Sequence, residues 1–189
     1  MLQILNAPNP ILSQKSVQVN KIDKNTVNLI EEMKIALDKA HDPIGVGLAA
    51  VQVGKNIRIF IAKPTEKSKI YVFINPIIKD KKNLALLGDA LRGKSENKQK
   101  RIRKLEGCLS LKDIWGEIKR DSVVTVEFMD EKGERYTKSF TGFMATIIQH
   151  EIDHLEGILF PKRVLEQKGT LYKSEKDEKG QDIFEEIKI

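Results

Sequence analysis

The residues best suited to chemistry lie in segment 149–157, which contains the pattern His-Glu-x-x-His. Residues four apart share one face of an α-helix, so His150 and His154 could direct ring nitrogens at one metal ion. Glu151 lies beside this pair, within reach of a water molecule bound to the ion. Apolar residues at helical spacing predict a helix over residues 142–155. The pattern therefore predicts a metal site with an adjacent proton acceptor.

Two histidines do not complete a catalytic metal site, which usually has three protein ligands and one open position. A histidine six residues after His154 would complete one known pattern, but Phe160 occupies that position. Cys108 is the only cysteine, so it is either a small buried side chain or a thiolate ligand. His41 is a further candidate, and so are the downstream glutamates Glu166, Glu175 and Glu178. The residue types alone leave the third ligand open.

Three motifs, in this order along the chain, resemble those of the peptide deformylases. They are Gly45-Val46-Gly47-Leu48-Ala49-Ala50-Val51-Gln52, Glu106-Gly107-Cys108-Leu109-Ser110 and Gln149-His150-Glu151-Ile152-Asp153-His154. The resemblance extends over about residues 3–165. It implies a hydrolase that removes the N-formyl group from the formylmethionine of newly made polypeptides and releases formate.

The resemblance also implies roles for individual residues. Cys108, His150 and His154 would bind one divalent metal ion, natively iron(II), with zinc, nickel or cobalt as substitutes. Glu151 would take a proton from water and deliver it to the leaving amine. The side-chain amide of Gln52 and the backbone N–H of Leu109 would stabilise the oxyanion.

Residues near the motifs are expected to bind the substrate. The candidates are Val46, Gly47, Gly107, Phe143 and Ile147, with the apolar members forming a pocket for the methionine side chain. Gly45 and Gly47 would let the backbone approach an extended peptide closely. The same glycines loosely match a dinucleotide-binding fingerprint, but that motif requires a strand before it and a helix after it. Here the predicted helix 26–40 comes first and the predicted strand 57–62 follows, so no nucleotide cofactor is expected.

The length of 189 residues fits one domain with its own core. Strands are predicted at residues 57–62, 70–78, 123–129 and 134–140, the last two joined by a hairpin turn. The predicted fold class is α+β, with small mixed or antiparallel sheets packed around the central His-Glu-x-x-His helix. Residues 1–165 would form the catalytic domain, and residues 166–189 a tail that forms a hairpin or strand.

Residues 79–104 contain ten Lys or Arg and three Asp or Glu, a net charge of +7 against +6 for the whole chain. This segment is predicted to be a basic insertion in the catalytic domain. It is either a solvated loop or a phosphate-binding surface that contacts ribosomal RNA. Two other departures from the family pattern are Lys112, where relatives commonly have proline, and the tail itself. The loop containing Trp115 is therefore expected to take a different path over the substrate groove.

Two alternative functions remain open from the residues. One is a metallopeptidase that uses His150, His154 and a downstream glutamate and leaves Cys108 unbound. The other is a ribosome- or RNA-binding module with a vestigial site, acting through residues 79–104. No apolar run approaches the ~20 residues of a membrane span, and Met1-Leu2-Gln3 begins no signal peptide, so a cytoplasmic protein with no membrane contact is expected.

Overall fold

The structure is a computed structural model that describes residues 2–41, 43–86, 105–178, 180 and 182–188. Most of its strands follow one another in the middle of the described chain, with helices before and after them and two short 3-10 helices near the N-terminus. In chain order they are η1 (Pro10–Ser13), α1 (Lys24–Asp38), β1 (Gly47–Ala49), η2 (Ala50–Val53), β2 (Ile59–Ala62), β3 (Tyr71–Leu86), β4 (Glu106–Cys108), β5 (Leu111–Gly116), β6 (Lys119–Met129), β7 (Arg135–Thr141), α2 (Gly142–Leu155), α3 (Phe160–Glu166), β8 (Leu171–Lys176) and β9 (Asp182–Glu186).

The strands form two antiparallel sheets. One has five strands in the order β1-β2-β3-β6-β7, and the other has four in the order β4-β5-β8-β9. Helix α2 packs against strands of the five-stranded sheet, while α3 packs against β4 and β5 of the other. The predicted α+β class is confirmed, and the pairings between the described strands are antiparallel throughout.

Helix α2 has the bounds that the apolar spacing predicted, Gly142–Leu155. It is buried along most of its length because apolar side chains on it join the main core with Phe60 and Phe73 of the five-stranded sheet. Full burial of a large apolar side chain contributes about 1.5–3 kcal/mol, so this packing fixes the helix firmly. Its polar residues Glu151, Asp153 and His154 are buried as well. Buried polar groups need partners, and those partners come from other strands.

A separate core joins the four-stranded sheet to helix α3. Phe160 and Val164 of α3 pack with Leu171 of β8, with Ile118 and with Cys108 at the end of β4. The end of β4 is therefore anchored by apolar packing. A side-chain contact between Glu106 of β4 and His150 then joins this strand to α2.

Strand β3 is longer than the sequence predicted. It continues past Ile78 to Leu86 and pairs with β6 as far as Lys119, so the first residues of the predicted insertion 79–104 are a strand. Because residues 79–84 are all exposed, this segment lacks the alternation of apolar and polar residues by which a half-buried strand is recognised in a sequence. The rest of that segment, residues 87–104, lies outside the described residues.

The C-terminal segment forms a hairpin. Strand β8 pairs with β5, and β9 pairs with β8, so the hairpin extends the four-stranded sheet away from β4. Strand β8 continues to Lys176 before the chain turns. None of the helices in the described ranges is both long and apolar enough to cross a membrane.

Candidate active site

Helix α2 places both histidines of the predicted motif on one side. The ring centroids of His150 and His154 are 4.9 Å apart, as expected for residues one helical turn apart. The Glu151 side chain lies between them in sequence and is 3% exposed. The three residues are thus held by a helix that the core prevents from shifting.

Strand β4 brings the cysteine to these histidines. Cys108 Sγ lies 3.1 Å from His154 Nε2. One ligand atom from each of Cys108, His150 and His154 falls within 4.8 Å of the others, which makes them a group that could hold a metal ion within the described part of the chain. One thiolate and two imidazoles leave a tetrahedral ion one open position.

A carboxylate fixes the orientation of His150. Glu106 Oε1 lies 2.7 Å from His150 Nδ1, which leaves Nε2 as the ligand atom on this ring. Arg120 holds the same carboxylate with two bonds, Nη2 to Oε1 at 2.7 Å and Nε to Oε2 at 3.1 Å. Burial alone would raise the pKa of Glu106, but Arg120 and His150 outweigh it and hold that pKa at about 2. Glu106 is therefore an ionised acceptor for the histidine.

The network continues from Arg120 to helix α2. Arg120 Nη1 donates to Asp153 Oδ2 at 2.6 Å, and the other oxygen of Asp153 accepts from Arg163 Nη2 at 2.9 Å and Nε at 3.2 Å. The Glu106, Arg120 and Asp153 side chains are at most 10% exposed. Strands β4 and β6 and helices α2 and α3 are thus tied together behind the ligand group.

The electrostatics of the group suit a cation. Burial opposes a charge on His150, but Glu106 and Cys108 outweigh it and raise the pKa of His150 well above its usual value. A metal ion bound here would have to replace the proton on His150, since only the neutral imidazole binds a metal. Burial lowers the pKa of His154, which keeps this imidazole neutral and able to bind a metal. Two buried atoms of this site have no hydrogen-bond partner among the described residues: Glu151 Oε2 and His154 Nδ1.

Glu151 has the properties of a proton acceptor near neutral pH. Its burial raises the pKa of the carboxyl to about 7, and the nearby Glu106 charge acts in the same direction. A bound cation would lower this value again. A carboxyl whose pKa lies close to the ambient pH can both accept and return a proton.

Gln52 lies at the edge of the ligand group. Its Oε1 accepts from the Ala49 N–H at 2.8 Å, which fixes the amide so that Nε2 points at Ser110 Oγ, 3.1 Å away, and at Cys108 Sγ, 3.7 Å away. Leu109 follows β4 directly, and both Gln52 and Leu109 line the same cavity. The two predicted oxyanion donors are therefore near the cysteine.

This cavity has a volume of about 410 Å³ and opens over the ligand group. It is bordered by all five of the residues predicted to bind substrate: Val46, Gly47, Gly107, Phe143 and Ile147. Ile147 also belongs to the main core, and Val46 and Phe143 pack against it, so these side chains have a structural role as well.

Two of the motif glycines make room for functional side chains. A Cβ on Gly47 would overlap the carboxylate of Glu151, so only glycine lets β1 pass this close to α2. A Cβ on Gly107 would lie 2.8 Å from the ring of Trp115, which covers this part of β4. Gly45 makes room for α1 in the same way, because its Cβ would lie 2.8 Å from Leu37 Cδ1. Close packing therefore accounts for these glycines before any substrate is considered.

The other candidate ligands lie apart from this group. His41 lines the cavity but is not one of the clustered ligands. Glu166 bonds to Arg163, and Glu175 bonds to Lys173, both on exposed surface. Glu178 is also exposed. The metallopeptidase alternative, which needs one of these glutamates and a distant Cys108, is not supported.

Sequence reasoning did not assign roles to Glu106, Arg120 and Asp153. Glu106 and Asp153 lie inside the quoted motifs, and a charged residue within an apolar stretch is a usable signal because a buried charge needs a partner. Arg120 carries no such signal, since it lies in a strand with other charged residues.

Comparisons with known proteins show which family this chain resembles. A family model described as Polypeptide deformylase matches residues 1–169. A peptide deformylase of Zymomonas mobilis is 37% identical over 167 residues, which are 85% of this chain and 84% of that protein. One of Pseudothermotoga lettingae is 36% identical over 151 residues, 80% of this chain and 75% of that protein. The crystal structure of the Thermotoga maritima peptide deformylase superposes with a TM-score of 0.70 at 28% identity and covers 87% of this chain and 97% of that one.

Proposed function

The chain belongs to the polypeptide deformylase family and is a hydrolase that removes the N-formyl group from newly made polypeptides, and we propose that the buried group around Cys108 performs this reaction. The observation that supports the proposal most is the approach of Cys108 Sγ to the helix that contains His150 and His154, with the Glu151 carboxylate buried beside them. The family is metal-dependent, and these three residues would hold the ion.

The bound ion supplies Lewis acidity, which acidifies water and polarises the formyl oxygen. In the proposal the ion is iron(II), with zinc, nickel or cobalt able to replace it. A thiolate with two imidazoles suits both iron(II) and zinc, and the His150 ring is kept in position by Glu106. Air should then inactivate the iron enzyme, whereas a nickel-reconstituted enzyme should last longer.

Glu151 moves the proton in this mechanism. Its unpartnered Oε2 accepts a proton as water attacks the formyl carbon, and the same carboxyl returns it to the amine that leaves. A new C–O bond forms, the C–N bond breaks, and the products are formate and a free amino group. Burial raises the pKa of Glu151 to about 7 in the ion-free protein, so this carboxyl accepts a proton more readily than an exposed glutamate does.

The oxyanion formed at the formyl group needs fixed donors. Gln52 Nε2 is held in place through the bond from Ala49 N–H to Oε1, and the Leu109 N–H is the second proposed donor. Removing one such donor usually costs about 2.7–4 kcal/mol of transition-state stabilisation. The methionine side chain would occupy the apolar part of the cavity near Val46, Phe143 and Ile147, next to Gly47 and Gly107.

The proposed domain organisation places catalysis in residues 1–165 and the hairpin in the tail 166–189. The proposed location is the cytoplasm beside ribosomes, because the substrate is the formylated end of a nascent chain. A contact with ribosomal RNA would use the basic segment 79–104, of which Lys79, Lys81 and Lys82 are on exposed β3 positions. A contact of this kind weakens with salt.

Formate release from formyl-Met-Ala tests the main function. The metal-loaded protein should release formate and expose a free amine, and a chelator should stop the reaction until metal is restored. Cleavage of an internal peptide bond in a non-formylated substrate, without formate release, would overturn the proposal in favour of a peptidase.

Ribosome co-sedimentation at low and high salt tests the RNA contact. Replacing Lys79, Lys81 and Lys82 together by alanine should weaken low-salt binding and reduce its salt dependence. A matched control replaces three exposed lysines elsewhere, Lys132, Lys162 and Lys168. Equal binding by both variants would remove the proposed contact at β3. Deletion is less suitable, because residues 79–86 pair with β6 on the approach to Arg120.

A further inference from the structure

Two glutamine side chains bind the backbone of strand β6 on either side of Arg120. Gln149 Oε1 accepts from the Asp121 N–H at 3.1 Å, and its Nε2 donates to the Asp121 carbonyl at 2.8 Å. Gln167 makes the same pair of bonds with Lys119, at 2.8 Å from the N–H and 3.1 Å to the carbonyl. Each amide thus binds both backbone groups of one residue, as a neighbouring strand would.

The ends of the strands explain why β6 needs these side chains. Strand β7 pairs with β6 only as far as Val123 and Thr141, after which the chain turns into helix α2. Strand β3 covers the opposite edge of β6 as far as Lys119. In the described part of the sheet, no strand therefore lies beside residues 119–121 on the β7 side, and their backbone groups need other partners. The two glutamine amides supply them.

The two glutamines differ in what surrounds them. Gln149 is 5% exposed and belongs to α2, immediately before His150. Its Nε2 also donates to the Ala145 carbonyl at 2.9 Å, so both donors and the acceptor of this amide are used, and only one orientation of the amide satisfies all the partners. Gln167 is exposed at the C-terminal end of α3. Of the two, only Gln149 joins β6 to the helix that contains the histidines.

The bonds between Gln149 and β6 act on His150 through Arg120. Asp121 follows Arg120 directly, so fixing the Asp121 backbone fixes the point from which the guanidinium extends. Arg120 binds Glu106 with two bonds, and Glu106 Oε1 lies 2.7 Å from His150 Nδ1. These contacts form a closed loop, which leaves α2 at Gln149, passes through β6 and β4, and returns to α2 at His150.

We propose that Gln149 is a positioning residue for the metal site: its amide sets the position of β6 against α2 and thereby the orientation of the His150 ring. The inference rests on the proposed metal site and adds to it a side chain that touches neither the ion nor the substrate. Gln149 is not among the residues that line the active-site cavity, so its removal should change the geometry of the site rather than the binding of the peptide.

Gln149→Met tests this role, because methionine has a similar length but no amide. In the cobalt(II)-loaded protein the visible absorption reports the geometry of the thiolate and imidazole ligands, and it should shift. A chelator should remove cobalt about three- to tenfold faster than from wild type, and kcat for formyl-Met-Ala should fall about tenfold while KM stays within about twofold. An unchanged spectrum, an unchanged rate of metal loss and an unchanged kcat would overturn the proposal.

Gln167→Met is the matched control. It removes the same two bonds to β6, two residues from those of Gln149, but from an exposed position outside α2. Only Gln149→Met should alter the cobalt spectrum and the rate of metal loss. Equal changes in the two variants would show that both amides act by general stabilisation of β6, and the positioning role would be wrong. A wild-type protein that neither binds cobalt nor releases formate would instead overturn the proposed function.

Amide hydrogen exchange in the wild-type protein gives a readout that needs no variant. Coupling between two sites is reciprocal, so if Gln149 fixes the ligand group, a bound metal must strengthen the hold of Gln149 on Asp121. Adding zinc to the metal-free protein should slow exchange of the Asp121 N–H about fivefold or more, and exchange of the Lys119 N–H, which Gln167 binds, less than about twofold. No change at Asp121, or equal slowing at both amides, would overturn the proposal even if Gln149→Met does not fold.

Discussion

The ligand group and the C-terminal hairpin border the same cavity but are stabilised in different ways. Around the ligands, side chains at most 11% exposed are joined by charge-assisted hydrogen bonds, and Glu106 and Arg120 each bond to more than one partner. On the hairpin the ion pairs, such as Lys176 with Asp182, join side chains that are about half exposed. The hydrogen bonds hold the side chains of the ligand group in one arrangement, whereas the exposed side chains of the hairpin can change conformation at little cost in free energy.

Catalysis places a demand on the first region alone. In the proposed mechanism the ligands, Glu151 and the oxyanion donors must be held within fractions of an ångström, so each must be fixed by further contacts. That mechanism uses no residue of the exposed hairpin. Substitutions should therefore have large effects at the buried group and small effects on the hairpin.

The largest effect is expected for Cys108→Ala. Without the thiolate, two histidines remain, so both metal affinity and deformylation should be lost together. Metal content after gel filtration and formate release measure the two quantities. Ser110→Ala is the matched control for metal content, because Ser110 is buried beside Cys108 but is not one of the clustered ligands. Normal metal content and activity in the alanine variant of Cys108 would show that this residue is part of the core rather than a ligand.

Glu151→Gln should separate metal binding from proton transfer. Glutamine has nearly the same shape but cannot accept the proton, so activity should fall about 10²-fold or more while metal content stays near the wild-type value. Glu156→Gln is the control on the same end of α2, where Glu156 pairs with Lys15 and Arg58 instead of the ligands. Activity of the Glu151 variant within tenfold of wild type would contradict its assigned role.

Arg120→Met should destabilise the fold more than any change on the hairpin. It leaves Glu106 and Asp153 buried with one partner fewer, and breaking a buried pair in this way usually costs about 3–5 kcal/mol. Urea unfolding of the metal-loaded protein measures the free energy. Arg163→Met is the comparison, because Arg163 also bonds to Asp153 but its side chain is 35% exposed, so a loss of about 1 kcal/mol or less is expected. Equal losses of unfolding free energy in the two variants would show that burial does not determine the cost of removing an arginine from this network.

The sequence predicted the parts of this site that depend on local spacing. The α2 helix follows from its apolar period, and the two histidines on one face follow from their separation of four residues. The family motifs predicted the grouping of Cys108 with these histidines, although 46 residues separate Cys108 from His154. The residue types and their local spacing alone had left the identity of the third metal ligand undetermined.

The parts that were not predicted depend on pairing between distant segments. Arg120 reaches Glu106 and Asp153 across separations of 14 and 33 residues, and no periodicity encodes those contacts. The extension of β3 was missed because residues 79–84 are exposed and have no apolar face. The contact between the Trp115 and Phe184 rings requires the register of β5, β8 and β9, and the sequence predicted the tail only as a hairpin or strand.

The smallest effect is expected for Lys176→Ala on the hairpin. This change removes the ion pair with Asp182, whose two side chains are 55% and 49% exposed. Solvent already screens such a pair, so the melting temperature should shift by less than about 2 °C. Turnover of formyl-Met-Ala amide should equal that of wild type, because Lys176 is not among the residues that line the active-site cavity. A thermal melt and the formate assay together measure both quantities. A shift as large as that of Arg120→Met would mean that the hairpin is tied to the core as firmly as the ligand group, and the contrast between the two regions would then be wrong.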